Sequence, residues 1–327
     1  MAGISEKKNK SLVSIVVPVY HNAETLPQLF LRLNDVANNV PEYRFEFIFV
    51  DDGSGDESFQ VLEHLAQRNP RVRVMKLSRN FGSNSAILAG LTYVKGDCAV
   101  VIAADLQDPP ELIPQLVALW HKGNQVVLAA RSRRDDPFIA KLFATAFNRL
   151  FRRLVFHDFP PDGFDFMLID RCVVDILVAL KEKNAFIFGQ VMWVGFKRQV
   201  IYYDRTQRKR GHSHWTTTKK IKYCIDAFAA FSYLPLRVAS LLGFSLAVLG
   251  FFYALLIIGL RLLGKVPIAG WASLLVVVLL ISGVQLILMG ILGEYLWRTL
   301  DETRRRPPFI VESTVNVDSE QGIISNN

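Results

Sequence analysis

The chain has 327 residues, which is enough for one catalytic domain of about 200 residues and a smaller module. Hydrophobic residues make up 51% of the sequence, a high share for a purely soluble protein, and the excess lies after residue 233. The net charge of +8 suits nucleic acid, an anionic membrane or a phosphorylated ligand. Because much of this charge lies in Arg205–Lys222, directly before a long apolar stretch, we expect a membrane and phosphate ligands and no nucleic acid.

The first half of the chain alternates between two patterns. Short apolar runs are typical of strands, and the amphipathic stretches between them are typical of helices. The predicted strands are Leu12–Val19, Phe45–Val50, Val72–Leu77, Cys98–Ala103 and Gln125–Ala130, and the predicted helices are Glu24–Val36, Glu57–Gln67, Asn84–Val94 and Pro110–His121. This alternation predicts βαβ units, and therefore an α/β fold with a Rossmann-like, doubly wound and mostly parallel sheet.

Polar residues follow each predicted strand. Because the carboxyl ends of parallel strands meet at one edge of a sheet, we expect these residues to converge in one crevice. They are Pro18 and Tyr20, Asp51 and Asp52, Arg79, Asp105 and Gln107, and Arg131. The segment Asp51–Ser54 lacks the glycine spacing of a dinucleotide fingerprint or a P-loop, so the crevice predicts a nucleotide site of another kind.

Two acidic positions carry candidate chemistry. Asp105 and Gln107 offer oxygen atoms, the ligands that a hard divalent cation such as Mg²⁺ or Mn²⁺ prefers. Two ligands make a weak site, so a bound diphosphate would have to supply most of the others. Asp165 lies in a segment that we expect to be a loop between the sheet and the basic region. An aspartate in such a loop is more often a turn or cap residue than a catalyst.

Two uncharged stretches in the last third, Val238–Leu260 and Val266–Gly293, each exceed the roughly 20 residues that span a bilayer. The short connection Arg261–Lys265 carries two positive charges, whereas the flanking segments Arg205–Lys222 and Arg304–Arg306 carry many more. Positive charge favours the cytoplasmic side. We therefore expect a multi-pass protein of the inner (plasma) membrane whose two termini and catalytic domain are cytoplasmic.

Two further stretches mix bulky apolar residues with Lys and Arg. They are Phe147–Phe156 and Lys219–Tyr233. Helices of this composition lie flat in the lipid headgroup layer. Ordinary surface helices that pack against the sheet remain the alternative.

Several segments, in this order, carry a family resemblance: PVYHNAETL, FVDDGSGD, RNFGSNSA, ADLQDPP, GFDFMLIDR, RTQRKRGHSHW and the paired apolar spans. They resemble the polyprenyl-phosphate glycosyltransferases of glycosyltransferase family 2, a group that includes dolichyl-phosphate mannose synthases and bacterial undecaprenyl-phosphate sugar transferases. The resemblance covers residues 12 to about 310, and the bacterial two-span type is the more similar.

The resemblance implies a GT-A type of α/β fold and a metal-dependent, inverting transfer. A hexose, with UDP-glucose as the best guess for the donor, would move to undecaprenyl phosphate at the cytoplasmic face. The product would serve the modification of a cell-surface polysaccharide. Relatives commonly form tetramers, so a homo-oligomer in the lipid bilayer is implied as well.

The resemblance also assigns roles to residues. Nucleotide-sugar binding falls to Pro18, Tyr20, Asp51, Asp52, Arg79 and Arg131, metal binding to Asp105 and Gln107, and binding of the acceptor phosphate to Arg205, Arg208, Ser213 and His214. Asp105 and Asp165 are the implied catalytic residues, and Asp165 matches the usual catalytic base. A phosphate monoester has a second pKa of about 6 and hardly needs a base at neutral pH. Orienting the sugar, or stabilising positive charge at its anomeric carbon, is the alternative role for Asp165.

Four positions depart from the family pattern. Ala103 replaces the first carboxylate of the usual Asp-x-Asp, Met167 a usual Arg, His214 a usual Lys and Asn22 a usual Glu. Neutral histidine would bind phosphate less firmly than lysine. The departures leave open the alternative of a weakened or inactive relative that acts as a lipid-phosphate-binding scaffold.

Five parts are expected along the chain. They are an N-terminal tail (1–11) without the apolar core of a signal peptide, a GT-A-like transferase domain (12–200), a basic juxtamembrane acceptor-binding segment (201–235), a two-helix transmembrane domain (236–298) and a cytoplasmic C-terminal tail (299–327). The tail after Ile310 is polar, and we expect it to be disordered.

Overall fold

The computed structural model describes residues 10–132, 149, 152–153, 155–161, 163–180, 182, 186–204, 234–263 and 270–317. The chain divides into two compact units. The first joins Met1–Ala227 to Pro307–Asn327, and the second is Phe228–Arg306. The predicted helix Lys219–Tyr233 and half of Phe147–Phe156 lie outside the described residues.

A mixed, mostly parallel sheet forms the centre of the first unit. In the described part of the chain its strands are β1 (Leu12–Val19), β2 (Arg44–Asp51), β3 (Val72–Leu77), β4 (Cys98–Val101), β5 (Val126–Arg131), β6 (Phe164–Asp170), β7 (Arg198–Tyr203) and β8 (Val311–Val315). Their order across the sheet is β7-β5-β6-β4-β1-β2-β3-β8. Only β6 and β8 among these strands run antiparallel to their neighbours. The predicted α/β class and mostly parallel sheet are confirmed.

Helices cover both faces of this sheet. They are α1 (Leu26–Asn39), α2 (Ser58–Arg68), α3 (Ser83–Thr92), α4 (Ile113–His121, after a 3₁₀ turn at Pro110–Leu112), α5 (Arg171–Leu180) and α6 (Ile187–Trp193). One core, which includes Leu29 of α1, Leu62 of α2 and Leu116 of α4, packs against Phe47 and its neighbours on one face. On the other face α3 approaches β1 so closely that a Cβ at Gly90 would lie 2.4 Å from Val16 Cγ1.

The five predicted strands and four predicted helices are all present, with ends that differ by at most three residues. Strands β6, β7 and β8 were not predicted. The expectation of a loop at Asp165 is wrong, because this residue lies in β6. The segment Phe164–Asp170 is an almost continuous apolar run, which is typical of a strand buried on both faces.

The expectation of disorder after Ile310 is wrong for the first residues of that tail. Residues Val311–Val315 pair antiparallel with β3. Lys76 and Glu312 form an ion pair across this edge at 3.0 Å, and the side-chain amide of Asn316 donates to the carbonyl oxygens of Ala66 and Val72. The strand depends on these distant partners, which the local sequence does not reveal.

The second unit contains two long helices, α7 (Leu234–Leu262) and α8 (Trp271–Thr303). Within the described residues, one helical segment, Leu236–Leu260, is long and apolar enough to cross a membrane, with a mean hydropathy of 2.5. It coincides with the first predicted span. The second predicted span, which overlaps α8 from Trp271 onward, stays a prediction.

Candidate functional site

The carboxyl ends of the parallel strands β1 to β5 lie along one edge of the sheet, as expected. Strand β6 runs antiparallel between β4 and β5, so its first residues lie at the same edge. The structure therefore brings the predicted residues Tyr20, Asp52, Asp105, Arg131 and Asp165 to one edge. In open α/β sheets this is the edge at which ligands bind.

The loops after β1 and β2 are bonded to each other. The backbone N–H of His21 donates to Ser54 Oγ at 3.0 Å, and the backbone N–H of Asn22 donates to Ser58 Oγ at 2.9 Å. The side chain of Asn22 also accepts the backbone N–H of Tyr20. Pro18 and Tyr20, both half-buried, are thus held beside the loop after β2. Asn22 is a structural residue of this turn.

Asp52 joins the loops after β2 and β3. Its two carboxylate oxygens accept the backbone N–H groups of Phe81 at 2.7 Å and Gly82 at 2.9 Å. Between them and β3 lies Arg79, whose guanidinium group stacks 4.1 Å from the centre of the Phe81 ring. The positively charged Arg79 side chain is therefore exposed on a loop that Asp52 fixes in position.

Asp51 is fully buried beside Asp52. Its Oδ1 accepts the backbone N–H of Ser54 at 3.3 Å. Among the described residues Oδ2 has no hydrogen-bond donor. Leaving a buried acceptor unsatisfied costs about 1–3 kcal/mol, so this oxygen is suited to accept an N–H group from a ligand.

Gly53 allows the loops after β2 and β3 to meet. It has φ +66°, and a Cβ at this position would lie 2.5 Å from the carbonyl carbon of Arg79 and 2.7 Å from the nitrogen of Asn80. Both atoms belong to the backbone and cannot rotate away. Only glycine fits this contact.

We therefore expect Gly53→Ala to weaken donor binding at least tenfold and to destabilise the protein by about 1–3 kcal/mol, since it adds strain at a positive φ. Gly55→Ala is the matched control, because its Cβ would meet His21 at an ordinary 3.6 Å. Nucleotide titration and thermal unfolding of both variants test this. Equal behaviour of the two variants would contradict it.

Burial raises the pKa of the Asp52 carboxyl group to about 6, and the neighbouring Asp51 adds to the increase, although the N–H groups of Phe81 and Gly82 oppose it. The folded protein therefore binds more protons at Asp52 than the unfolded chain between about pH 4 and pH 6. The contribution of Asp52 to stability is fully present below about pH 4. It is lost as the pH rises through about 6.

We expect Asp52→Asn, which cannot titrate, to destabilise the protein more at pH 4.5 than at pH 7, by a difference of about 2 kcal/mol. The variant also loses one acceptor for the N–H groups of Phe81 and Gly82 at both pH values. Thermal unfolding of the wild type and the variant at the two pH values measures this difference. A difference that does not change with pH would show that Asp52 does not titrate in this range.

The segment Ala104–Asp108, which we call the Asp105 turn, follows β4. The half-buried Asp105 accepts the backbone N–H of Gln107 at 3.2 Å, and Leu106 between them has φ +61°. Asp108 is fully buried, and its Oδ1 accepts the hydroxyl group of Tyr203 at 2.5 Å. Asp108 and Tyr203 were not predicted. The only signal in the sequence was a second acidic residue directly before two prolines.

Whether the Asp105 turn can bind a metal ion depends on the ligand atoms that its residues offer. In the described part of the chain no group of three or more His, Cys, Asp or Glu residues could hold a metal ion. Asp105 and Gln107 do provide hard oxygen donors two positions apart. Such a pair fits Mg²⁺ or Mn²⁺ when a diphosphate and water complete the coordination shell.

Asp165 and Arg131 form an ion pair at the edge between β5 and β6. Ala129 pairs with Phe166, and Ala130 pairs with Phe164, so Asp165 is the extra residue of a β-bulge. A bulge changes the direction of a side chain and is common beside active sites. The Arg131 side chain is largely buried, whereas 42% of the Asp165 side chain is exposed. The carboxylate is therefore both held in place and accessible.

Two other predicted features have definite positions. Met167 is fully buried in the middle of β6 and pairs with Val101 and Leu128. It is a core residue in this chain. The predicted acceptor-phosphate residues Arg205, Arg208, Ser213 and His214 lie outside the described residues.

Comparison with known proteins gives a family. Residues 14–174 match the description "Glycosyl transferase family 2". Curated relatives are 31% to 40% identical over at least 91% of this chain. The bactoprenol glucosyl transferase of Shigella phage SfX is 36% identical, with 92% of this chain and 99% of that protein covered.

A second relative transfers a different sugar according to its name. The undecaprenyl-phosphate 4-deoxy-4-formamido-L-arabinose transferase of Pseudomonas savastanoi pv. phaseolicola is 37% identical, with 94% of this chain and 92% of that protein covered. A solved structure, the glucosyl-3-phosphoglycerate synthase of Mycobacterium tuberculosis with Mn²⁺, UDP-glucose and phosphoglyceric acid, has a TM-score of 0.45 and 16% identity over 67% of this chain and 78% of that chain.

The chain therefore belongs to glycosyl transferase family 2, and along almost its whole length it is similar to the polyprenyl-phosphate transferases of that family. The resemblance stated from the sequence motifs is confirmed. The protein is a polyprenyl-phosphate glycosyltransferase of this family.

Proposed function

We propose that this enzyme transfers a hexose, with UDP-glucose as the best candidate donor, to undecaprenyl phosphate at the cytoplasmic face of the membrane. One observation carries the proposal. The similarity to a bactoprenol glucosyl transferase extends over 92% of this chain and 99% of that protein, so it includes the apolar helices as well as the sheet. The lipid product would serve the modification of a cell-surface polysaccharide.

The edge of the sheet supports a nucleotide-sugar donor. Asp51 offers a buried carboxylate oxygen without a donor among the described residues, which suits an N–H group of a nucleobase. Pro18 and Tyr20 lie beside it, and Asp52 fixes the loop that carries Arg79. The Arg79 guanidinium group would bind phosphate oxygens of the donor, as arginine does through its fork of N–H groups.

Asp105 and Gln107 would hold a divalent cation, Mg²⁺ or Mn²⁺, together with the donor diphosphate. When bound, the cation neutralises negative charge on the departing nucleoside diphosphate. Ala103 removes one carboxylate from the usual pair, so Asp105 is the main negative charge of the protein at this turn.

The membrane part supports a lipid acceptor. The segment Leu236–Leu260 is suited to cross a bilayer, and we propose that a second crossing follows within α8. Arg205, Arg208, Ser213 and His214 would bind the acceptor phosphate at the cytoplasmic surface. This arrangement places both termini in the cytoplasm, in accordance with the distribution of positive charge. Assembly into a homotetramer is the expectation from the family.

The proposed reaction is one in-line displacement with inversion. A phosphate oxygen of the acceptor attacks the anomeric carbon, the bond from that carbon to the diphosphate oxygen breaks, and UDP leaves with the bonding electron pair. The attacking phosphate is already largely deprotonated near pH 7, since its second pKa is about 6. Asp165 then orients the sugar and stabilises positive charge at the anomeric carbon, and Arg131 holds Asp165 in place.

Transfer of radiolabelled sugar tests this proposal. Purified protein in detergent is incubated with undecaprenyl phosphate and a panel of UDP- and GDP-sugars, with Mg²⁺ or Mn²⁺ and with chelator. Because a relative of similar identity is named for a formamido-arabinose, the panel includes that donor as well. We expect label in the lipid fraction from UDP-glucose, and we expect chelator to abolish it.

Each alternative result has its own meaning. Label in the lipid fraction from another donor would confirm the lipid acceptor and show that the enzyme transfers a different sugar. Transfer that survives chelator would exclude the metal role of Asp105 and Gln107. No transfer from any donor, beside an active relative as control, would contradict the proposal.

A further inference from the structure

Two buried hydroxyl groups hold the two ends of the Asp105 turn. At its first residue, Thr25 Oγ1 donates to the carbonyl oxygen of Ala104 at 2.8 Å, and the carbonyl oxygen of Asn22 at 3.1 Å is a second, longer acceptor for the same hydroxyl group. At its last residue, the hydroxyl group of Tyr203 donates to Asp108 Oδ1 at 2.5 Å. Thr25 directly precedes α1 and Tyr203 ends β7. The two hydroxyl groups therefore come from distant parts of the chain.

Both contacts are shielded from water. Thr25 is 5% exposed, Tyr203 is 6% exposed and Asp108 is fully buried. The Tyr203 ring also packs edge-on against Phe166 of β6, with 6.3 Å between the ring centres. Its backbone carbonyl accepts the N–H of Ser132, which follows Arg131. The hydroxyl group that contacts Asp108 is therefore fixed to the sheet and cannot follow the turn if the turn moves.

The backbone between the two contacts is in an unusual conformation. Leu106 has φ +61°, which a residue with a branched side chain retains only where its surroundings hold it. Asp105 and Gln107, the proposed metal ligands, lie on either side of it. A change in the conformation of Leu106 would change the direction of both side chains.

We infer that Tyr203 and Thr25 are positioning residues for the metal site: they hold the Asp105 turn in the strained conformation that directs the oxygens of Asp105 and Gln107 to one cation. The inference rests on the proposed function, since it names the residues that fix its metal ligands. Groups that orient metal ligands typically change metal affinity by about 10- to 100-fold when they are removed.

Calorimetric titration of UDP at a series of Mn²⁺ concentrations tests the inference in the full-length protein. The quantity compared is the Mn²⁺ concentration that gives half of the full gain in UDP affinity. We expect Tyr203→Phe, which removes only the hydroxyl group, to raise this concentration about 10- to 100-fold. Tyr202→Phe is the matched control, because Tyr202 is the preceding residue of the same strand and 59% exposed.

A loss of metal-ligand positioning in Tyr203→Phe differs from a general loss of stability in its effect on metal-free UDP binding. We expect UDP affinity without metal to be the same in Tyr203→Phe and the wild type. A metal requirement in Tyr203→Phe equal to that in Tyr202→Phe would overturn the inference and leave the proposed function intact. A wild-type protein whose affinity for UDP does not depend on Mn²⁺ would overturn the inference and the proposed metal role of Asp105 and Gln107, but not the proposed sugar transfer, which the labelling assay tests.

A second pair of variants decides the matter if Tyr203→Phe does not fold. Thr25→Val removes the hydroxyl group at the other end of the turn, whereas Thr25→Ser keeps it. We expect the valine variant to need an Mn²⁺ concentration about 10-fold higher, or more, than the wild type. We expect the serine variant to need the same Mn²⁺ concentration as the wild type. Equal requirements in both variants would overturn the inference.

Discussion

Asp105→Asn is expected to lower the rate of sugar transfer by a factor of at least about 100, and to leave the fold unchanged. Asp105 supplies the accessible negative charge of the turn after β4, because Ala103 carries no charge and Asp108 is fully buried. The amide that replaces it retains an oxygen for the N–H of Gln107 but has no net charge to attract a divalent cation.

The measurement is transfer of labelled sugar over a range of Mn²⁺ concentrations, together with a thermal unfolding curve. Asp175→Asn is the matched control, since it makes the same change in an exposed carboxylate that pairs with Arg171 at 2.8 Å on α5. We expect the control to keep full activity. An Asp105→Asn variant with wild-type activity and metal dependence would refute the metal role of Asp105.

The strands and helices of the first half could be predicted because each has a local pattern. In β1 to β5 the apolar runs are bounded by polar or turn residues, and α1, α2 and α4 have apolar residues at helical spacing. Strand β8 has no such pattern. It is short and mostly polar, and it forms because β3 offers an unpaired edge more than 230 positions away, as the pair Lys76 and Glu312 shows.

The positions of the candidate site residues could also be predicted only where they follow from the local sequence and the strand order. Asp52, which directly follows β2, and Asp105, four positions after β4, were placed at one edge because the topology of a parallel sheet fixes where its strands end. Asp165 was placed in a loop because the bulge that exposes it depends on the register between β5 and β6. Asp108 and Tyr203 are 95 positions apart, and their hydrogen bond follows from the packing of the sheet.

Asp51 and Asp52 illustrate how two adjacent residues of one type acquire different roles. Asp52 uses both carboxylate oxygens to fix the loop after β3. Asp51 uses one oxygen for Ser54, and its other oxygen is buried without a donor among the described residues. Asp52 therefore fixes the loop after β3, whereas the free oxygen of Asp51 is suited to accept an N–H group. The sequence predicted binding roles for both and could not distinguish them.

The second large effect is expected for Asp165→Asn, which should lower kcat by about 100- to 1000-fold. The change removes the charge that would stabilise the developing positive charge at the anomeric carbon. It also leaves the largely buried Arg131 guanidinium group without its carboxylate partner. Asp158→Asn is the matched control, because Asp158 forms an ion pair with Arg198 at 2.7 Å and is mostly exposed. We expect that variant to retain wild-type kcat.

The dependence of kcat on pH decides between the two roles of Asp165. If Asp165 orients the sugar, the decline of kcat on the acidic side, near pH 6, belongs to other groups such as the acceptor phosphate, whose second pKa is about 6. The decline should then have the same midpoint in the Asp165→Asn variant at its lower rate. If Asp165 removes a proton from the acceptor, the midpoint should shift in the variant, because transfer would then depend on acceptor phosphate that has already lost this proton. An unchanged profile would therefore establish that the nucleophile enters the reaction already deprotonated, and that the β-bulge at Asp165 serves to direct a charge.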